Sequence, residues 1–164
     1  MARARRNFGL FHCSVLVALF LSLFGAVAAR AEESFGKERL AIVTGDGKRH
    51  EFSAELALTP QQRAQGLMNR RSMAPDQGML FSFGETRTVL MWMKNTYLPL
   101  DMLFIDKSGD IKTIKENAEP LSEAIISSKV PVAYVLELNA GTVRTLAIQP
   151  GDRIDSPLIQ NAGP

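Results

Sequence analysis

Apolar residues recur at every second position in short runs along most of this chain, and glycine, proline and Asx pairs separate the runs, a pattern that predicts strands. Leu40-Ala41-Ile42-Val43-Thr44 leads into Gly45-Asp46-Gly47, after which Phe52, Ala54, Leu56 and Leu58 alternate with Glu51, Ser53 and Glu55. This predicts a hairpin whose second strand has one wet face. Thr59-Pro60-Gln61-Gln62 predicts a helix start: Thr59 caps, Pro60 takes the first position where its missing N–H is harmless, and Gln62 completes a capping box. The helix is expected to run to about Asn69, with Arg63, Leu67 and Arg70 along one stripe.

Ser72 to Gly78 reads as a loop. Beyond it the pattern predicts four strands, Met79–Phe83, Val89–Asn95, Leu100–Asp106 and Ile111–Lys115, joined by short turns into a meander. The middle two are apolar on both faces, so each side of the sheet needs a cover, and the short helix is the candidate for one. Asn117 to Val130 is ambiguous, with Pro120, Ser127 and Ser128 favouring a loop. Val132–Leu138 is a strand broken by Asn139-Ala140-Gly141; Thr142–Ile148 reads as a short helix or another strand, and a last strand lies around Ile154. The chain is therefore mainly β, with one or two short helices.

The N-terminal segment departs from this pattern. Arg3, Arg5 and Arg6 precede an apolar stretch from Val15 to Ala29, and Ala29-Arg30-Ala31 fits the small-x-small processing rule. Residues 1–31 are expected to be a cleaved signal peptide, 32–38 a flexible arm and 39–164 a single β-rich domain in a periplasmic or secreted protein. Arg5-Arg6-Asn7-Phe8 also fits a twin-arginine signal, so the export route stays open. No stable membrane anchor is expected after cleavage. Cys13 lacks the small preceding residues of a lipid-modified cysteine.

The segment holds four of the 19 basic residues and none of the 17 acids, so the remainder carries 15 against 17 and a formal charge of −2. Its basic residues are interspersed with acids, which argues against nucleic acid as a partner. Without Cys13 and His12 the domain keeps one imidazole, His50, and no thiol. That excludes a disulfide, a thiol nucleophile, a Cys-His dyad and a multi-histidine zinc site within one chain. No cofactor is expected.

Several stretches recur together in this order: Arg63-Ala64-Gln65-Gly66-Leu67-Met68-Asn69-Arg70, Gly78-Met79-Leu80-Phe81, Met91-Trp92-Met93-Lys94-Asn95-Thr96, Pro99-Leu100-Asp101, Val135-Leu136-Glu137-Leu138 with Ala140-Gly141, and Gly151-Asp152. With these the chain resembles the family known as "domain of unknown function 192", over roughly Leu40 to Ile154. The resemblance implies a compact β-sandwich or barrel-like domain, often exported from bacteria. It implies no activity and carries no catalytic residues.

Candidate chemistry must therefore come from the residues. If Thr96–Pro99 is a four-residue hairpin loop, Lys94 opposes Asp101 and Trp92 opposes Leu103, on one face. The plain reading is a surface ion pair worth ~0–1 kcal/mol. The functional reading is a partly dry pocket of Trp92, Lys94, Asn95, Tyr97 and Asp101, with Trp92 as a platform beneath a cation. Glu137 interrupts an apolar strand, and either faces solvent at an edge or pairs with Arg63, Arg70 or Lys94.

These eight residues are the expected ligand-binding set, for a small polar ligand, sugar-like ligands included, or an envelope protein partner. The rival expectation is a hydrolase or transglycosylase-like enzyme using Asp101 and Glu137 as paired carboxylates, which requires both to face one cleft within ~10 Å. The methionines suggest a soft-metal site on composition alone, but their alternation with aromatics and leucines predicts core filling. Asp106-Lys107-Ser108-Gly109-Asp110 lacks the glycine position and distal Glu of a calcium loop and reads as a hairpin turn.

Overall fold

A computed structural model describes residues 34–162; the expected signal peptide lies outside them. The first hairpin is as the pattern predicts. β1 (Gly36–Val43) pairs antiparallel with β2 (Arg49–Ala57), Leu40 opposite Phe52 and Ile42 opposite His50. The turn is held by Thr44 Oγ1 donating to Asp46 Oδ1 at 2.6 Å. Because β1 starts at Gly36, Lys37 and Glu38 are already paired, so the expected flexible arm is ordered strand from that point.

α1 (Pro60–Gln65) has both halves of the predicted capping box, the Gln62 amide nitrogen donating to Thr59 Oγ1 at 3.1 Å and the Thr59 amide to Gln62 Oε1 at 3.0 Å. It ends four residues earlier than expected. Gly66 terminates it at φ 47°, a backbone conformation that favours glycine, and a Cβ there would crowd the Phe81 ring at 3.2 Å. The connection returns the chain to run parallel with β2, as a crossover must, and β3 (Gln77–Met91) pairs Ser53 with Gln77 through Ala57 with Phe81.

The expected meander is not formed. Met79–Phe83 and Val89–Met91 belong to one strand, β3. Gly84, at φ 71°, lies within an irregularity where six residues of β3, from Ser82 to Arg87, run against three of its partner, from Tyr134 to Val132. β4 (Leu100–Ile105) does not pair with β3. Both flank β6 (Ile126–Asn139), giving the order β5-β4-β6-β3-β2-β1-β7. β6 is buried continuously from Val132 to Leu138, and a strand apolar on both faces needs a hydrogen-bonded neighbour on each edge. Gly78 fits this pairing, since a Cβ there would lie 2.7 Å from the Glu137 carbonyl oxygen.

The β4–β5 hairpin is as expected. β5 (Ile111–Ala118) returns through a turn in which Asp106 Oδ1 accepts from Ser108 and Asp110 amides at 2.8 and 3.0 Å. Asn139 ends β6, α2 (Thr142–Leu146) is a helix, and β7 (Arg153–Asp155) pairs with β1. A third helix, α3 (Pro157–Gln160), is not among the expected elements; it starts on Ser156 and Pro157, the same cap-and-proline start as α1. The seven-stranded sheet curls into a half-barrel, and its two ends meet where Asp110 bridges Arg153 and the Ile111 amide donates to the Asp152 carbonyl at 2.8 Å.

Alternation along the strands divides the core in two. Leu40, Ile42, Phe52, Leu80, Leu103 and Leu136 share one face with Val143 of α2 and Ile159 of α3. Met79, Phe81, Met102, Phe104 and Val135 share the other. α1 buries no residue of its own; this second face is covered instead by Leu67 just beyond the helix, by Met93 and Leu98 of the 92–99 connection, and by Val89.

Candidate functional site

The register decides the fate of the two carboxylates. Asp101 pairs with Leu138 and Glu137 with Met102 on the neighbouring strand. Directly opposed residues share a face and successive ones alternate, so Asp101 and Glu137 point to opposite faces of the sheet. They share no cleft, which removes the paired-carboxylate scheme. The hairpin that placed Lys94 against Asp101 does not exist, because β6 lies between the two strands.

Asp101 is fully buried and structural. Its Oδ1 accepts from the Asn117 amide and its Oδ2 from the Val143 amide, both at 2.9 Å. The second bond satisfies a free N–H in the first turn of α2, whose own N-cap, Gly141, has no side chain to do so.

Glu137 is 4 % exposed and meets the opposite situation. Met79 and Met102 flank it across the sheet, and burial pushes the pKa of its carboxyl up to about 8, with no hydrogen bond or charge among the described residues to offset it. It is neither at a solvent edge nor paired with Arg63, Arg70 or Lys94. It lines a cavity of about 240 Å³ between the α1 segment and the far half of β3. Phe81, Phe83, Met68, Met91 and Trp92 supply apolar walls, Thr96 a hydroxyl, and Arg63 and Arg87 the cationic edge.

Three of the eight expected residues therefore meet, namely Trp92, Arg63 and Glu137. Arg63 Nη1 donates to the carbonyls of Leu58 and Ser82 at 2.6 and 2.9 Å, and its guanidinium lies 5.6 Å from the Phe83 ring centre. Trp92 is half exposed, and the expected cation above it is Lys94, whose Nζ is 5.8 Å from the ring centre. Lys94 pairs with Glu123 at 3.6 Å.

The others serve the framework. Arg70 donates to Glu55 Oε2 at 2.5 Å, so the acidic company of the basic stripe is Glu55, whose carboxyl that bond holds below the usual range. Asn95 takes a left-handed φ of 55°, and its carbonyl accepts from the Asn69 amide at 2.8 Å, tying the Trp92 connection to the segment after α1. Tyr97 lies under Arg71, 3.8 Å from ring centre to guanidinium carbon.

Phe81, Phe83, Met68, Met91, Thr96 and Arg87 were not read as site residues. The pattern places one of its short turns at Gly84-Glu85, between Phe83 and Val89, whereas the continuous strand carries Phe83 and Arg87 to the cavity. The usable signal was Gly66, a glycine inside a helical pattern that marks a helix end or a close approach. Met79, Met93 and Met102 are buried in the second cluster, as core filling predicts, and no cluster of His, Cys, Asp and Glu suited to a metal occurs among the described residues.

A larger groove of about 580 Å³ follows β5 and the 119–129 segment. Its charged residues, including Lys112, Lys115 and Lys129, are exposed. The smaller cavity has instead a buried carboxyl in its lining with a pKa raised by desolvation, which makes it the candidate site.

These features define a class: a mainly β half-barrel domain with an acid-lined cavity on one face. The chain belongs to the DUF192 family, "Uncharacterized ACR", whose model matches residues 41–156. Among solved structures it is similar to a protein of Sinorhizobium meliloti 1021 described as a "putative transcription regulator", at 65% identity and a TM-score of 0.75, covering 76% of this chain and 97% of that one. It is also similar to a protein of unknown function from Novosphingobium aromaticivorans DSM 12444, at 30% identity and a TM-score of 0.70, covering 75% and 93%. No curated protein matches the chain.

Proposed function

We propose that this domain is a binding module for a small polar ligand held in the cavity between α1 and β3, with Glu137 as the recognition group and Trp92 and Arg63 as walls. The observation that carries this is the Glu137 carboxyl, buried beside an open volume with nothing among the described residues to offset its desolvation. Desolvating a carboxyl is costly, and a ligand that hydrogen-bonds to Glu137 removes that cost only while bound. Among the described residues no second acid lines the cavity, which favours binding over turnover by a carboxylate pair. The cavity lies just below the usual 300–1,000 Å³ range of small-molecule sites, which favours a ligand of few heavy atoms.

The test is a thermal-shift panel of envelope glycan fragments and small polar metabolites on wild type and Trp92→Ala. A ligand at ~100 times its Kd stabilises the fold by about 2.7 kcal/mol, so a shift of several degrees is expected in wild type and a much smaller one in the variant. Equal shifts in both, or no shift with any compound and no small molecule retained in native mass spectrometry, would overturn the reading. Export belongs to the same proposal: N-terminal sequencing of the protein from periplasm should begin at Glu32.

A further inference from the structure

We propose that the cavity takes a small zwitterion, its ammonium group on Glu137 and its carboxylate at the cationic edge formed by Arg63 and Arg87. This rests on the reading that the cavity binds a small polar ligand, and it names the class. The buried acid lacks a cation. The walls beside it are the rings of Phe81 and Trp92 and the thioethers of Met68 and Met91, surfaces that attract an ammonium group and offer it no competing donor.

The opposite charge is also prepared. The Arg63 and Arg87 guanidiniums lie 5.6 and 5.0 Å from the same Phe83 ring, and both residues line the cavity. The bonds of Arg63 to Leu58 and Ser82 use only Nη1. Arg87 meets Glu85 through Nε at 3.2 Å and the Thr88 carbonyl through Nη1 at 3.5 Å. Each guanidinium therefore keeps N–H groups for a carboxylate. A simple amine would satisfy Glu137 but face two guanidiniums; a simple acid would do the reverse. A short ω-amino acid matches both ends within about 240 Å³.

Binding an ammonium group requires the Glu137 carboxylate, so the ligand must expel the proton that burial retains on it. The experiment is isothermal titration at pH 7, in two buffers of different ionisation enthalpy, with β-alanine, 4-aminobutyrate and 5-aminovalerate against butylamine and butyrate. We expect one amino acid to bind at least about tenfold tighter than either single-charge analogue, with release of close to one proton per ligand and with affinity rising as pH approaches 8. Glu137→Gln should weaken it by about 30-fold or more. Arg87→Gln should weaken it by about tenfold and abolish the preference over butylamine.

Butylamine binding as tightly as the amino acids, or an unchanged affinity in Arg87→Gln, overturns the zwitterion. Failure of all five probes overturns it too. If a compound of the thermal-shift panel then binds with loss in Trp92→Ala, the cavity reading survives that failure. Undiminished amino-acid binding by Glu137→Gln overturns both. Circular dichroism of each variant separates lost binding from lost folding.

Discussion

Asp101 and Glu137 occupy neighbouring positions on paired strands, both buried, yet they do opposite things to the molecule. Asp101 accepts two backbone amides at 2.9 Å and ties β4 to the end of β5 and the start of α2. Glu137, one position along the register and on the other face, has methionines on both sides and a pKa raised to about 8. Burial is common to both. What separates a framework carboxylate from a recognition group is whether the fold supplies donors for its charge. The first stabilises the native state and the second costs it stability, and a protein tolerates such a cost where the group is needed for something else.

The largest effect expected from this contrast is at Asp101. Asp101→Asn replaces one accepting oxygen by an NH₂ group that must face a backbone donor, in a place water does not reach. A charge-assisted bond is worth about 1.5–3 kcal/mol and the orphaned amide adds its own desolvation, so a loss of about 3–5 kcal/mol is expected. Urea unfolding measures it. A loss below about 1 kcal/mol would mean that the two amides find other partners, and the distinction between the carboxylates would fail.

Glu137→Gln comes next, with the opposite sign. The folded pKa lies above the ordinary value of 4.5, so the native state keeps a proton that the unfolded chain has released. Its contribution is fully favourable below pH ~4.5, erodes as pH rises, and reaches its worst above pH ~8. Each pKa unit is worth about 1.4 kcal/mol, so by pH 7 the penalty is about 3 kcal/mol. The variant, with no charge to suppress, should be more stable than wild type by up to about 3 kcal/mol at pH 7 and by little at pH 4.5. Thermal unfolding across that window checks it. A gap between the proteins that does not change with pH would show that Glu137 does not carry the raised pKa.

The same contrast explains what the sequence discloses. The β1–β2 hairpin, the Thr59 capping box and the Asp106 turn rest on residues a few positions apart, where local chemistry settles the conformation. The neighbours of β6 do not. Leu80 meets Leu136 and Met102 meets Glu137, contacts across tens of residues that no local pattern specifies, and assuming that adjacent strands pair put Lys94 on Asp101. Glu137 was visible as a carboxylate in an apolar strand, and Trp92 and Arg63 as candidate walls; that no cation answers Glu137 becomes legible only once the register fixes which face it occupies.

The smallest effect is expected at Lys94, where the sequence pattern suggested an ion pair at the heart of the site. Lys94 is 45 % exposed and its partner Glu123 67 %, with 3.6 Å between the charges, a geometry in which side-chain entropy and screening leave about 0–1 kcal/mol. Its ammonium group is 5.8 Å from the Trp92 ring, a contact worth about 0.5–1 kcal/mol at an exposed position. Trp92 does not depend on Lys94 for its place, because the connection that carries it is pinned by the Met93 amide on the Ser122 carbonyl at 2.9 Å and by the Asn69–Asn95 bond at 2.8 Å. Lys94→Ala should therefore cost less than about 1 kcal/mol and leave ligand affinity within about threefold. Trp92 is the only tryptophan, so its fluorescence reads both quantities in one sample, as an unfolding transition and as a ligand-dependent change in emission. An affinity loss as large as that of Glu137→Gln would move the centre of the site out of the cavity and onto the exposed Trp92–Lys94 stack.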